Sequence, residues 1–237
     1  MVDHTADFNL AYTEHARRNL LAEGLHPRRV IVTGSPMPEV LDAHRDAIEA
    51  STALTDLGVE QGQYFLVSAH REENVDSPKR LRALLECLNA VASEWGLPVL
   101  VSTHPRTRKR LKAQHESSIE DLVRFHEPFG FLDYNRLQMS AACVLSDSGT
   151  IAEESTILGF PAVTLRSSIE RPEALDTGAI TMTDLDPGVL ITAIRFAMAR
   201  EALPQRPADY QIENTSERVV NRVLSTTLQR NSWSGLR

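Results

Sequence analysis

The sequence predicts an α/β protein built on a doubly wound parallel sheet of the Rossmann-like type. Short apolar runs alternate with helical patterns from residue 64 to residue 199, the order expected when helices join parallel strands. The apolar runs are continuous, as at residues 143–145, so helices should cover each strand on both faces. A chain of 237 residues, 42% of them hydrophobic, is long enough for one large core and part of a second.

The first part of the chain shows a short strand and helix pattern. Its predicted elements are a strand at 8–12, a helix at 13–21, a strand at 30–32 and a helix at 38–51. Thr13 is suited to cap the first helix, and Gly24 to end it. Pro36 and Pro38 favour a helix start after the turn at residues 33–36, with a supporting role in a ligand cleft as the lesser alternative.

The pattern becomes regular after a polar segment at residues 55–63, where we expect a hinge. Predicted strands follow at 64–69, 98–102, 122–125, 143–145, 161–165 and 179–183, and predicted helices at 78–95, 105–114, 133–141, from 150, at 187–199 and at 215–228. We therefore expect three parts: residues 1–55, a Rossmann-like domain at 56–203, and residues 204–237 with a helix that packs back toward the first part.

The turn after the strand at residue 143 is the best candidate for chemistry. Ser148 lies where a helix begins, and Gly149 allows a ligand to approach the backbone because it has no Cβ. The unpaired N–H groups of a helix start suit a phosphate, although Ser148 is equally well explained as a helix cap. Glu154 is a good acceptor for the two hydroxyls of a ribose, so the turn indicates a nucleotide.

Charged residues follow several of the other predicted strands. Ligands of such sheets bind beyond the carboxyl ends of the strands, so His70, Arg71, His104 and Arg171 are expected to gather at one edge as an anion pocket. Each has a plainer alternative: Arg71 and its acidic neighbours can form a solvated cluster, and His104 can fill the turn before a proline.

Composition excludes several classes of protein. A net charge of −7 argues against general nucleic-acid binding, and no apolar run reaches the ~20 residues of a membrane span. Cys87 and Cys143 both fall in apolar segments, which predicts free thiols in a reducing compartment and hence a cytoplasmic protein. The N-terminus carries Asp3 and Asp7 where a signal peptide would be basic and then apolar, and its abrupt lead into an interior strand suggests a start partway through a larger architecture.

Three motifs in register resemble one known family. They are Ser-Ala-His-Arg-Glu-Glu-Asn at 68–74, Asp-Ser-Gly-Thr-Ile-Ala-Glu-Glu at 147–154 and Glu-Arg-Pro-Glu at 170–173. Together they resemble the non-hydrolysing UDP-N-acetylglucosamine 2-epimerases over nearly the whole chain, and residues 3–7 and 34–36 are similar to that family's interdomain region. Residues 102–107 look more like the branch that acts on capsule and O-antigen precursors.

The resemblance implies a GT-B architecture, in which two Rossmann-like domains close on a UDP-sugar, and it implies neither a metal nor a nicotinamide cofactor. It places Ser148 and Gly149 on the diphosphate, Glu154 on the ribose and Arg171 on the phosphate side of the cleft. His70 would be required for catalysis. His104 would correspond to a cleft histidine, although its neighbours differ from the commonest family pattern, and Arg71 and Glu73 of the first motif join the substrate-binding candidates.

The family's catalytic carboxylates lie upstream of the residues that this chain matches. We therefore expect a UDP-binding part of an epimerase with little or no turnover by itself, and a homodimer for the full-length protein. Two alternatives remain open at this point: a GT-B glycosyltransferase, which would share the nucleotide pocket, and a non-catalytic UDP-sugar-binding protein.

Overall fold

The computed structural model describes residues 1–103, 119–169, 171–202 and 205–228, which fall into two compact units. The smaller unit contains Met1–Ala43 and the C-terminal residues from Arg206 onward, and the larger unit is His44–Gln205. None of the helices within the described ranges is long and apolar enough to cross a membrane.

The larger unit is built on a six-stranded parallel sheet. In chain order, the strands of both units are β1 Asn9–Ala11, β2 Val30–Val32, β3 Phe65–Ser68, β4 Val99–Ser102, β5 Val123–His126, β6 Cys143–Ser146, β7 Ala162–Thr164 and β8 Thr181–Met182. The large sheet has the order β5-β4-β3-β6-β7-β8, with every neighbouring pair parallel. This confirms the doubly wound parallel sheet predicted from the sequence.

Twelve α-helices lie before, between and after these strands in the described residues. They are α1 Val2–Thr5, α2 Glu14–Ala22, α3 Met37–Ala43, α4 Arg45–Glu49, α5 Ala53–Leu57, α6 Glu72–Val75, α7 Pro78–Trp95, α8 Phe131–Ser140, α9 Ile151–Leu158, α10 Glu173–Asp176, α11 Pro187–Met198 and α12 Thr215–Thr226. Local sequence sets the bounds of the longest, α7. Ser77 caps it, Pro78 occupies its first turn, and Gly96 ends it in the left-handed conformation with φ of 62°.

Alternate residues of the central strands enter two separate cores. Phe65 and Val67 face a core formed with α7 and α11, whereas Leu66 faces a second core formed with α5, α8 and α9. A strand that is buried on both faces needs apolar residues at every position, which explains its continuous apolar run.

The smaller unit contains the parallel pair β1 and β2 with α2 packed beside it. The hydroxyl of Thr215, at the start of α12, donates to the carbonyl oxygens of Thr33 (3.1 Å) and Ser35 (3.0 Å). Gly34, between them, has φ of 91° and lies against Ile212, so a side chain at this position would be both strained and crowded.

Two predictions of secondary structure differ from the structure. The helix predicted at residues 38–51 is broken at His44, whose ring packs edge-on against Phe131 at a centroid distance of 5.5 Å. The predicted hinge segment begins within a short helix, α5, which Gly58 ends with φ of 64°. The helix predicted at residues 105–114 lies outside the described residues.

Candidate functional site

The candidate site lies where the strand order of the large sheet reverses. The chain runs outward from β3 through β4 and β5, then returns to place β6 on the other side of β3. Ser68 and Ser146, the last residues of β3 and β6, are paired in register, so the loops that follow both strands leave the sheet side by side. Such a switch point at the carboxyl ends of parallel strands forms a natural crevice for a ligand.

Asp147 joins the two loops. Its carboxylate is fully buried and accepts hydrogen bonds from the backbone N–H groups of His70 (3.1 Å) and Arg71 (3.0 Å) and from the side-chain amide of Asn74 (3.0 Å). A buried carboxylate is tolerated when several donors replace its lost hydration. Asp147 therefore fixes the backbone on which His70 and Arg71 are mounted.

A polar network extends from Asp147 to the far side of the loop. The amide nitrogen of Asn74 also donates to the carbonyl oxygen of Leu165 (3.2 Å), and its oxygen accepts from Nη2 of Arg80 (2.8 Å). Arg80 in turn forms an ion pair with Asp184. The loop after β3 is thus tied both to the loop after β6 and to the segment after β8.

The imidazole of His70 is held on one side and open on the other. Its Nδ1 lies 3.2 Å from the hydroxyl of Ser68 and 3.7 Å from Oδ1 of Asp147, while about half of the side chain is exposed. With Nδ1 within hydrogen-bond distance of Ser68, Nε2 is the ring nitrogen available to a ligand.

The turn at residues 148–150 presents backbone amides at the start of α9. The hydroxyl of Ser148 accepts from the backbone N–H of Thr150 (3.3 Å) and lies 2.9 Å from its hydroxyl. No acceptor within the described ranges pairs with the N–H groups of Gly149, Ile151 or Ala152. These donors and the helix dipole suit an anion.

Arg71 supplies positive charge at the same turn. A Cβ placed on Gly149 would lie 3.9 Å from Nη2 of Arg71, so the guanidinium extends from the loop after β3 over the loop after β6. An arginine beside open backbone amides is a combination that recognises phosphate oxygens.

Glu154 lies in the first turn of α9 and is half-buried. The side-chain amide of Gln138, on α8, donates to its Oε2 at 2.6 Å. Burial raises the pKa of Glu154 above its ordinary value, and the charge of Glu153 acts in the same direction; hydrogen bonds from Gln138 and Thr150 partly offset this increase. The carboxylate of Glu154 can still accept hydrogen bonds from the hydroxyl groups of a ligand.

Tyr134 connects the two sides of the crevice and was not anticipated from the sequence. Burial raises its pKa first, and the charge of Glu154 raises it further, whereas hydrogen bonding with Ser68 and Gln138 acts in the opposite direction. The groups that act on this pKa include Ser68, at the end of β3, and Glu154, in the first turn of α9. The sequence context of Tyr134, an ordinary amphipathic helix, gave no sign of this position.

Arg171 is brought to the site by an ion pair. Its Nη1 contacts Oε1 of Glu153, whose side chain is almost fully buried in the first turn of α9. The pair holds the guanidinium against the helix start and neutralises the carboxylate of Glu153. Arg166, which follows β7, is also fully buried.

The structure therefore brings together six of the eight sequence-predicted site residues: His70, Arg71, Ser148, Gly149, Glu154 and Arg171. Glu73 lies on α6 with its side chain exposed, and no described contact ties it to the turn of α9. His104 lies outside the described residues, as does Glu170 of the third motif. The position of Asp147 in the second motif was visible in the sequence, but its role as the buried acceptor for both loops was not.

Comparison with known proteins identifies the family. The sequence matches the family described as UDP-N-acetylglucosamine 2-epimerase over residues 1–224. The chain belongs to this family. The structure of the UDP-N-acetylglucosamine 2-epimerase from Rickettsia bellii is similar, with 38% identity and a TM-score of 0.89 over 97% of this chain and 62% of that chain.

Two further relatives of this chain are informative. The Methanocaldococcus jannaschii protein is 31% identical over 207 residues, 85% of this chain and 57% of its own length. Its structure in complex with UDP-GlcNAc and UDP has a TM-score of 0.84 at 30% identity, over 94% of this chain and 62% of that chain. The UDP-2,3-diacetamido-2,3-dideoxy-D-glucuronate 2-epimerase of Pseudomonas aeruginosa is 28% identical over 84% of this chain and 55% of its own length.

These likenesses confirm the fold class implied by the resemblance, a Rossmann-like α/β unit of the GT-B type. The chain spans 57% of the M. jannaschii sequence and 62% of the R. bellii chain.

Proposed function

We propose that this chain is the UDP-binding part of a non-hydrolysing 2-epimerase acting on UDP-N-acetylglucosamine or a related UDP-2-acetamido sugar. One observation carries the proposal: the switch-point crevice combines open amides at the start of α9, the guanidinium of Arg71 beside Gly149, and Glu154 in the first turn of the same helix. A diphosphate fits the first two features, and the ribose next to it fits the third.

The proposed reaction inverts C2 of the sugar by elimination and re-addition. A base removes the proton at C2, the C1–O bond to UDP breaks to leave a 2-acetamidoglucal, and UDP and a proton are then added back with C2 inverted. The N–H groups near Gly149 and the guanidinium of Arg71 would stabilise the negative charge that develops on UDP as it leaves. Arg171, held by Glu153, would add positive charge on the phosphate side.

We assign His70 a role in proton handling on the sugar side of the crevice. Ser68 lies within hydrogen-bond distance of its Nδ1, which leaves Nε2 to contact the substrate or the leaving oxygen. His70→Ala is expected to reduce turnover far more than UDP affinity in a protein that carries the whole epimerase. Equal turnover before and after the substitution would make His70 structural.

Two measurements on this chain test the proposal. Isothermal titration with UDP is expected to give saturable binding at one site. Proton NMR of UDP-N-acetylglucosamine with the chain in deuterated water is expected to show little loss of the C2 proton, because the resemblance assigns the catalytic carboxylates to an upstream part. Normal turnover would contradict the dependence on that part, and absent UDP binding would contradict the function itself.

A non-catalytic UDP-sugar-binding protein is the second candidate, because the same crevice could bind a UDP-sugar without catalysing its reaction. The two candidates differ in a protein extended by the upstream part: an epimerase exchanges the C2 proton, and a binding protein does not. Sugar transfer that requires an added acceptor would identify a glycosyltransferase instead.

We also propose cytoplasmic action in the supply of sugars to cell-envelope polysaccharides, with a homodimer as the full-length form. Two buried free cysteines support a reducing compartment. The similarity to an epimerase of a diacetamido uronate supports the envelope branch. Light scattering during gel filtration tests the dimer, and a monomeric full-length protein would exclude it.

A further inference from the structure

Gln138 makes the shortest described contact to the carboxylate of Glu154. It lies in α8, its side chain is fully buried, and its Nε2 is 2.6 Å from Oε2 of Glu154. The opposite orientation of the amide would set two acceptors against each other, so the chemistry of the pair fixes which atom faces Glu154.

The amide limits the directions in which Glu154 can accept further hydrogen bonds. An ionised carboxylate offers about four lone-pair positions over its two oxygens. Gln138 occupies one on Oε2. About three positions remain, which is enough for the two adjacent hydroxyls of one ribose.

The neighbouring residues of α8 strengthen the case for a positioning function. Tyr134 lies one turn before Gln138, and the charge of Glu154 contributes to raising its pKa. The Oε1 atom of Gln138 is buried without a hydrogen-bond partner in the part of the chain that the structure describes. Burying an unsatisfied acceptor is costly, so an apolar residue would be better tolerated here unless the amide served the carboxylate.

We propose that Gln138 is a positioning residue for nucleotide recognition, which holds Glu154 so that its remaining lone pairs face the two ribose hydroxyls. The inference rests on the proposed function, in which Glu154 binds the ribose. It makes Gln138 responsible for discrimination between a ribose and a sugar that lacks these hydroxyls.

The test compares the affinities of UDP and 2′,3′-dideoxy-UDP by isothermal titration. The wild-type chain is expected to bind UDP at least about tenfold more tightly, because hydroxyl groups donating to a charged acceptor form strong hydrogen bonds. Gln138→Met keeps a long unbranched side chain and removes the donor. This variant is expected to lose most of the preference for UDP over dideoxy-UDP. UDP should bind more weakly, while the affinity for dideoxy-UDP should change less than about twofold.

Asn135→Met is the matched control, since Asn135 is a buried amide of the same helix that donates to its own turn, at the carbonyl oxygen of Phe131. The Asn135→Met variant should keep the wild-type ratio of the affinities for UDP and dideoxy-UDP. Gln138→Leu is a second variant; it also removes the donor, so it should lose the preference for UDP as Gln138→Met does.

The results distinguish a failure of the role proposed for Gln138 from a failure of UDP binding itself. Equal weakening of both ligands by Gln138→Met, with an unchanged ratio, would overturn the inference and leave UDP binding in place. A wild-type chain that binds UDP without preferring it to dideoxy-UDP would remove the ribose contact of Glu154, and with it the inference. A wild-type chain that binds neither ligand would overturn the proposed function as well.

Discussion

Replacing Glu154 with glutamine is expected to change stability and UDP binding in opposite directions. Burial raises the pKa of Glu154 above its ordinary value of 4.5, so the folded protein binds this proton more tightly than the unfolded chain does. The stabilising contribution of this group is therefore fully present below pH 4.5 and is lost as the pH rises through the folded-state pKa. Glutamine does not titrate, so the Glu154→Gln variant should gain stability over wild type as the pH rises toward neutrality.

The loss of affinity follows from the hydrogen bonds that Glu154 would make to the ribose. A hydrogen bond to a charged group contributes roughly 1.5–3 kcal/mol, against about 1 kcal/mol for a neutral pair. Two hydroxyls that now meet a neutral amide should therefore cost about 1–3 kcal/mol of binding free energy, which is a factor of roughly 5 to 150 in affinity. Gln138 can still donate to the new amide oxygen, so the local fold should persist.

Urea unfolding and isothermal titration with UDP measure the two effects. Trp95 packs on Phe65 in the core of the larger unit, at a ring-centroid distance of 5.0 Å, and its fluorescence reports unfolding there. A Trp233→Phe background makes Trp95 the only tryptophan, since the chain has two. Glu60→Gln, an exposed carboxylate before β3, is the control and should change neither quantity.

A Glu154→Gln variant that is more stable than wild type and yet binds UDP more weakly cannot owe its weaker binding to a general folding defect. An unchanged UDP isotherm would remove Glu154 from the nucleotide site. A variant less stable than wild type at pH 7 would refute the account of Glu154 as a costly buried charge.

Three further predictions concern the framework of the chain. Asp147→Ala should lower the free energy of unfolding of the larger unit by about 3 kcal/mol or more, because it leaves buried donors without their acceptor; an unchanged urea midpoint would contradict this. Gly34→Ala should destabilise the smaller unit, since the new Cβ would lie 2.7 Å from Ile212 at a φ of 91°, and Ile212→Ala in the same chain should recover part of the loss in thermal unfolding. Burial raises the pKa of Cys87 and Cys143 to about 12 each, so neither should react with a thiol reagent at pH 8 before denaturation, and rapid labelling would show that the cores open.

Local sequence signals predicted the regular elements well. The helix predicted at residues 78–95 coincides with α7, whose ends the structure shows to be set by Ser77, Pro78 and Gly96, and β2 coincides with the run at residues 30–32. Propensity did not reveal the break between α3 and α4, because the contact of His44 with Phe131 joins residues far apart in the chain.

Part of the site was predictable and part was not. The rule that ligands bind at the carboxyl ends of parallel strands directed attention to His70, Ser148 and Glu154, which follow strands in the sequence. The supporting residues follow no such rule. Gln138 and Tyr134 lie inside a helix, and their importance depends on α8 packing beside α9 in three dimensions.

The proposed UDP site combines two loops that Asp147 joins by hydrogen bonds between residues that lie 76 or 77 positions apart in the sequence. The most direct test is an NMR titration of the ¹⁵N-labelled chain with UDP, following backbone amides. We expect the backbone amide resonances of both loops to shift along one binding curve. These are the amides of His70, Arg71, Ser148, Gly149 and Ile151. Shifts confined to one of the two loops, or located elsewhere in the chain, would contradict the proposed site.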